Sequence, residues 1–358
     1  MNNDRIQEIL DLMEEARLDY FLISDPQSIA YCTGYYNDPH ERMFVFMISK
    51  HGNHTLFMND LFYLEHDLDV NIVWHKDGQD AIQTIVDEMH FPGRIGIDKN
   101  WASHFLLDLM KKLPDAKYIN ASPCVDLVRM KKDLQEQVLM IESSKINDAV
   151  MEEIIPFIQE GVTEKQLAKK LDELFFNHHS TCYGAIVAFG KNAADPHHEN
   201  DDTPLRKGDC VLIDMGCVYK GYCSDMTRTF FYEGILEEEI KIYEIVKKAN
   251  EAAEAMIKPG VKLSDIDKCA RKVISDEGYG KYFTHRLGHF IGRDVHEWGD
   301  VSQNYDIEVQ EGMTFSIEPG VYLQGEFGVR IEDLVLVTED GCKVLNSYPK
   351  DLKVIGND

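Results

Sequence analysis

Apolar positions recur at helical spacing from the start of the chain, with Ile6, Ile9, Leu10 and Met13 on one face. Short apolar runs at 20–23, 43–48, 71–74 and 94–97 read as buried strands, and residues 106–113 read as another helix. Strands alternating with helices predict a small α/β domain over residues 1–125. Residues 125–155, rich in Lys, Glu, Met and Leu, predict one nearly continuous helix stopped by Pro156. The domain boundary is expected where that helix begins, which leaves 126–358 as a larger second domain.

The second domain carries an internal repeat. Thr163 and Gln166 make a T-x-x-Q capping box after Gly161-Val162. About a hundred residues later, Gly260-Val261 precede Ser264 and Asp267 and a helix with Ile266, Cys269, Ala270 and Val273 on one face. Gly208 is followed by Asp214 and Gly216, and Gly312 by Glu318 and Gly320, at the same spacing and an offset of 312 − 208 = 104. Two related halves are therefore expected, each setting an acid in an apolar strand. Asp225 follows Asp214 with Gly216 and Gly221 between them, which suits a hairpin, and Glu332 ends the run Val329-Arg330-Ile331.

Four carboxylates in apolar strands are costly unless they are paired or bound to metal. His285, His289 and His296 lie within twelve residues, and Gly288 and Gly292 near His289 let backbone approach an ion closely. Four carboxylates and an imidazole suit Mn²⁺, Co²⁺, Fe²⁺ or Zn²⁺, and suffice for two ions sharing bridging carboxylates.

Composition narrows the partners. The 358 residues carry 63 acidic and 37 basic side chains, a formal charge of −26, which opposes binding to nucleic acid or to an anionic membrane surface. No run approaches the ~18 apolar residues of a membrane span, and residues 1–17 are charged and amphipathic with no signal-peptide core. The eight cysteines are scattered without a C-x-x-C pair, as expected of reduced thiols in a cytoplasmic protein.

From about Pro196 to Val337 the sequence resembles the pita-bread metallopeptidases, specifically the Xaa-Pro dipeptidases (prolidases) and aminopeptidases P, and the preceding domain resembles their creatinase-type N-terminal domain. The resemblance implies an α+β chain: a pita-bread C-terminal domain with internal pseudo-duplication behind a smaller α/β domain. It implies a dinuclear site in which Asp214 binds one metal, Asp225 and Glu332 bridge, and His289 and Glu318 hold the second. Manganese would be the favoured ion, with cobalt or zinc as alternatives. His197, after Pro196, would contact substrate near the scissile bond, and His296 would hydrogen-bond its carbonyl and the developing oxyanion. Glu318 would shuttle the proton to the leaving nitrogen after attack by a metal-bridging hydroxide. Arg330 would anchor an acidic partner or a substrate group, and His285 would support the site; His198 replaces the glycine usual after the Pro-His pair.

Substrate length stays open between a prolidase acting on dipeptides and an aminopeptidase P acting on longer Xaa-Pro peptides. A dipeptidase needs a cation for the free carboxylate, and Arg293, after Gly292, is expected to read it or to line the leaving-residue pocket. Asp38, His40, Glu41 and Arg42 form a charged loop similar to that of bacterial prolidases; in a homodimer of this family it would close the partner's cleft as a lid. A methionine aminopeptidase usually lacks such an N-terminal domain. A catalytically inactive binding module would have lost ligand residues that are all present here.

Overall fold

Asn2 opens the first helix, its side chain accepting the Arg5 amide at 3.3 Å, and α1 (Asn3–Glu15) turns Ile6, Ile9 and Met13 inward. The computed structural model describes residues 1–90 and 92–356 and falls into two units, Met1–Arg129 and Met130–Asp358. The first continues through β1 (Tyr20–Ile23), α2 (Pro26–Thr33), β2 (Val45–Ser49), β3 (Thr55–Asn59) and β4 (Asn71–His75). It then runs through α3 (Ala81–Glu88), β5 (Arg94–Ile97), α4 (Ser103–Lys112), β6 (Lys117–Asn120) and α5 (Ser122–Met130). The six strands form one mixed sheet in the order β4-β3-β2-β1-β5-β6. Alternate residues of β1 and β2 enter different cores: Phe21, Ile23, Phe46 and Ile48 meet α1, while Tyr20, Leu22, Val45 and Met47 meet α3 and α4. Helices on both faces explain why these strands read as continuous apolar runs.

The second unit begins with a correction. The helix expected over 125–155 is two helices, because Lys131 pairs as an isolated bridge with Met313 and Asp133 then caps α6 (Leu134–Ile154). Asp133 accepts from the Gln135 and Glu136 amides while Glu136 accepts the Asp133 amide at 3.0 Å, a full capping box. The Thr163–Gln166 box starts α7 (Glu164–Asn177) as expected.

Then come β7 (Thr181–Cys182), β8 (Ile186–Phe189), β9 (Cys210–Met215), β10 (Cys217–Tyr219), β11 (Tyr222–Cys223) and β12 (Met226–Tyr232). Helices α8 (Glu237–Met256) and α9 (Leu263–Asp276) lead to β13 (Gly288–Phe290), β14 (Glu297–Val301) and β15 (Thr314–Ile317). The chain ends with β16 (Gly320–Leu323), β17 (Phe327–Arg330), β18 (Asp333–Val337), β19 (Cys342–Val344) and β20 (Val354–Ile355). The larger sheets run β20-β12-β9-β8 and β14-β13-β15-β18-β19.

The two halves are built alike: two helices and an antiparallel strand pair, β9 with β12 and β15 with β18. The fold is α+β with an internal duplication. Arg228, wholly buried on β12, joins the halves by donating to Asp333 Oδ1 at 2.8 Å and to the Glu332 and Tyr348 carbonyls at 2.7 Å. The segment between Asp214 and Asp225 is more than a hairpin turn, since β10 and β11 pair with each other and β10 pairs with β7. Their turn is Lys220-Gly221, where Gly221 takes φ +82°.

Candidate metal centre

Each strand pair supplies two carboxylates. Asp214 lies on β9 opposite Thr227, and Asp225 immediately precedes β12. Glu318 follows β15, and Glu332 precedes β18 in the register that pairs Ile317 with Asp333. Oxygen and nitrogen donors of Asp225, His289 and Glu332 lie within 4.8 Å of one another, and all three residues are buried. His289 Nε2 stands 3.7 Å from Asp225 Oδ2 and 3.5 Å from Glu318 Oε1.

The histidine is prepared as a ligand. Its Nδ1 lies 3.2 Å from the Phe290 carbonyl, which can only accept, so Nδ1 carries the proton and Nε2 turns a lone pair toward the carboxylates. Burial, then the neighbouring His296, pushes its pKa down to about 3, which keeps the ring neutral. Gly288 is required beside it, because a Cβ there would run into the Ser316 carbonyl oxygen. Ser316 Oγ holds both neighbours, accepting the His289 amide at 3.0 Å and donating to Glu318 Oε1 at 3.1 Å.

The carboxylates resist ionisation together. Burial, then the Asp214 charge, raises Asp225 well above the usual range; burial, then Asp225, does the same to Glu332. Burial raises Glu318 to about 7, with Arg330 as the largest opposing influence. Glu332 Oε2 accepts from Thr227 Oγ1 at 2.7 Å, but its Oε1 is buried without a hydrogen-bond partner. An orphaned carboxylate oxygen beside a neutral imidazole and further acids fits divalent cations, which would neutralise the repulsion and complete the bonding.

Arg330 is held along one wall of the site. It is 2% exposed and donates to Asp214 Oδ2 at 2.6 Å, to Thr227 Oγ1 at 3.1 Å and to Tyr322 Oη at 3.1 Å. Tyr322 Oη in turn sits 2.8 Å from His285 Nε2, whose pKa burial lowers to about 3. Arg330, Tyr322 and His285 thus form a chain along one wall. Sequence reasoning missed Tyr322, Thr227 and Ser316, although each lies two to four residues from a ligand candidate.

The five candidate ligands, Arg330 and His285 line a cavity of about 420 Å³, together with His197, His296, Pro196, Ile186 and Arg286. The His289 and His296 rings meet edge-on, with centroids 4.2 Å apart. His197 rides on a loop fixed by its neighbour: His198 Nε2 is 2.6 Å from Glu164 Oε2, and the buried Glu164 carboxylate also accepts the Phe189 and Asp201 amides and the Asn192 side chain. Glu164, His198 and Asp201 also bring donor atoms within 4.8 Å of one another, but Glu164 is saturated by hydrogen bonds. Asp267 grips Arg271 and accepts the Leu287 amide at 3.1 Å, tying α9 to the segment that carries His289.

Arg293 is placed differently from the expectation. Among the described residues it is not one that lines the cavity; its guanidinium lies 5.5 Å from the Tyr222 ring centroid while its amide donates to Glu297 Oε1 at 3.0 Å. The charged loop belongs to the first unit and is braced there. Arg42 forks onto Asp77 at 2.9 and 3.0 Å and pairs with Glu41 at 2.8 Å, while Asp38 accepts the His40 amide at 3.0 Å.

Comparison with known proteins gives the family. Residues 138–339 match metallopeptidase family M24, and residues 5–131 match the creatinase/prolidase N-terminal domain. An uncharacterised peptidase of Staphylococcus aureus (strain bovine RF122 / ET3-1) is 34% identical over 97% of this chain and 99% of its own. The crystal structure of a dipeptidase from Pyrococcus horikoshii OT3 superposes with a TM-score of 0.92 at 35% identity, covering 98% of this chain and 100% of that one. A prolidase from Thermococcus sibiricus gives 0.93 at 32% identity over 99% of both chains.

Proposed function

The chain belongs to metallopeptidase family M24, with a creatinase/prolidase N-terminal domain, and on that premise we propose that it hydrolyses the Xaa-Pro bond of dipeptides. The observation that carries the proposal is the convergence of a neutral His289 Nε2, the orphaned Glu332 Oε1 and three further acids on one small cavity. Asp214, Asp225, His289, Glu318 and Glu332 would hold two divalent ions, manganese in our reading. Bound there, the ions would supply Lewis acidity and make water a nucleophile near neutral pH.

The protein's own groups account for the rest. Glu318 takes a proton from the attacking water and returns it to the proline nitrogen as the C–N bond breaks. His296 and His197, which line the cavity, would donate hydrogen bonds to the substrate carbonyl and to the oxyanion it becomes. Arg330 holds Asp214 in place and balances its charge. Pro196 and Ile186 give the cavity its apolar surface, and its volume lies toward the small end of the roughly 300–1,000 Å³ usual for ligand pockets.

The proposal places the enzyme in the cytoplasm as a homodimer whose 38–42 loop screens the partner's cleft from long peptides. Its eight cysteines, all free, accord with that compartment. Purified protein with Mn²⁺, Co²⁺ or Zn²⁺ is expected to cleave Xaa-Pro dipeptides and to spare Xaa-Pro-Xaa tripeptides. Release of the first residue from the tripeptide at equal efficiency would make it an aminopeptidase P. Absence of bound metal and of metal-stimulated hydrolysis would refute the peptidase reading.

A further inference from the structure

Glu318 and Glu332 carry their carboxylates at the ends of long side chains, so where each oxygen falls depends on how the backbone beneath it is set. Both backbones are clamped. The peptide joining Ile317 to Glu318 gives its N–H to the Leu287 carbonyl at 2.8 Å, and the peptide joining Ile331 to Glu332 gives its N–H to the Thr227 carbonyl at 3.1 Å. The carbonyl ends of the same two peptides meet one side chain. Asn250, wholly buried on α8, donates through Nδ2 to the Ile317 oxygen at 2.9 Å and to the Ile331 oxygen at 3.5 Å. A peptide is planar, so holding both of its ends fixes its plane and the direction in which the next side chain leaves. The Asn250 amide is itself oriented, because Lys350 Nζ, which can only donate, meets its Oδ1 at 2.7 Å. Lys350 is held in turn by Asp333 Oδ2 at 2.8 Å and by the Glu254 carboxylate.

The other half has a counterpart. Asn147, also wholly buried, donates from α6 to the Met215 carbonyl, one residue beyond Asp214, at 3.0 Å. The two asparagines are 250 − 147 = 103 residues apart, one short of the 104 that separates Gly208 from Gly312. The duplication thus reaches the helices behind the acids, and in the second half one asparagine serves two of them. Resting on the reading of these acids as metal ligands, we infer that Asn250 is a positioning residue of the metal centre: it locks the peptides of Glu318 and Glu332 in one register, and Lys350 orients it. Neither residue lines the cavity, so both act through the acids.

The test is calorimetric titration of the chelator-stripped, full-length protein with Mn²⁺, beside thermal melts without metal. Removing a hydrogen-bond partner behind a metal ligand typically weakens binding about 10- to 100-fold. N250D keeps the shape of the side chain and the contact with Lys350 but loses the donor, and its Mn²⁺ Kd should rise by about that factor. An added negative charge by itself favours a cation, so a weaker Kd reports lost positioning. K350M, which leaves Asn250 unheld, should move Kd in the same direction, and K350R should bring it back toward wild type; this pair decides the matter where N250D fails to fold. A role confined to folding would lower the melting temperature of the metal-free variants and leave the Mn²⁺ Kd of the folded protein at its wild-type value, and that result would overturn the inference. Hydrolysis separates it from the parent proposal. If wild type cleaves no Xaa-Pro dipeptide yet N250D binds Mn²⁺ more weakly, the dipeptidase reading falls and the Asn250 assignment stands. If cleavage is robust and Kd is the same in every variant, the assignment alone falls. Failure of wild type to bind Mn²⁺, Co²⁺ or Zn²⁺ would refute both.

Discussion

Metal binding to this protein should expel protons, and the structure indicates how many. Asp225, Glu318 and Glu332 all have carboxyls shifted upward by burial and by neighbouring carboxylates, Asp214 among them for each, Glu318 to about 7. Below pH 7 the metal-free site therefore stores a proton on Glu318, and the shifts at Asp225 and Glu332 favour storage on them too. A divalent ion takes these carboxylates only in ionised form, so loading should release about one to three protons. Overall affinity should then weaken about 10- to 1,000-fold for each pH unit below 7. Stability of the metal-free protein moves the opposite way. An acid whose pKa is higher folded than unfolded makes the folded state the better proton binder, so stability declines as pH rises from Glu318's ordinary 4.5 through about 7. From Glu318 alone the loss is about 3 kcal/mol. Calorimetric titration of chelator-stripped protein with Mn²⁺ in two buffers of different ionisation heat reads the protons directly, and melting at pH 6 and pH 8 reads the stability. E318Q should release about one proton fewer. Identical heats in both buffers, meaning no proton release, would refute the account of a mutually repelling, proton-storing site.

R228M should destabilise the second unit by about 1–3 kcal/mol, because Asp333 keeps Lys350 at 2.8 Å but loses its buried guanidinium and the Glu332 and Tyr348 carbonyls lose a donor; a thermal melt of metal-loaded protein checks it. H198G and E164Q should lower kcat/KM by roughly 10-fold with metal content intact, since each removes a charge-assisted hydrogen bond that fixes the His197 loop; metal analysis beside kinetics decides. G288A should lose bound metal, measured by elemental analysis, because its Cβ collides with the Ser316 carbonyl next to His289. Deleting residues 38–42 should raise hydrolysis of tripeptides relative to dipeptides; an unchanged ratio would count against the lid.

Much of the site was legible because its acids interrupt apolar runs. Asp214 and Glu318 stand out at matching positions of two apolar runs, and the structure sets Asp214 near the end of β9 and Glu318 just after β15. The second acids, Asp225 and Glu332, likewise sit just before β12 and β18. What stayed hidden depends on where side chains turn once distant segments meet. Arg293 and Arg286 are both arginines flanking His289, and only packing against Tyr222 and pairing with Asp300 separate their directions. Tyr322 bears no mark in sequence of its link between Arg330 and His285. The break between α5 and α6 was readable, since Asp133 and Glu136 spell a capping box; helical composition on both sides masked it. Strands β3 and β6 both escaped, and burial does not explain it, since β3 is buried throughout and β6 only partly.

Asp225 and Glu332 are 332 − 225 = 107 residues apart, and His289 stands between them in sequence. No helix or hairpin that folds by itself holds more than part of this donor set, and the two strand pairs must dock before an ion finds its full shell. Metal uptake should therefore come late in folding, after the slow, long-range contacts are made. A chain that has misassembled either half would be left with repelling carboxylates and no ion, and so would be the more easily unfolded and degraded. Ion capture in this protein then acts as a test of correct assembly, retaining the molecules in which both halves have closed.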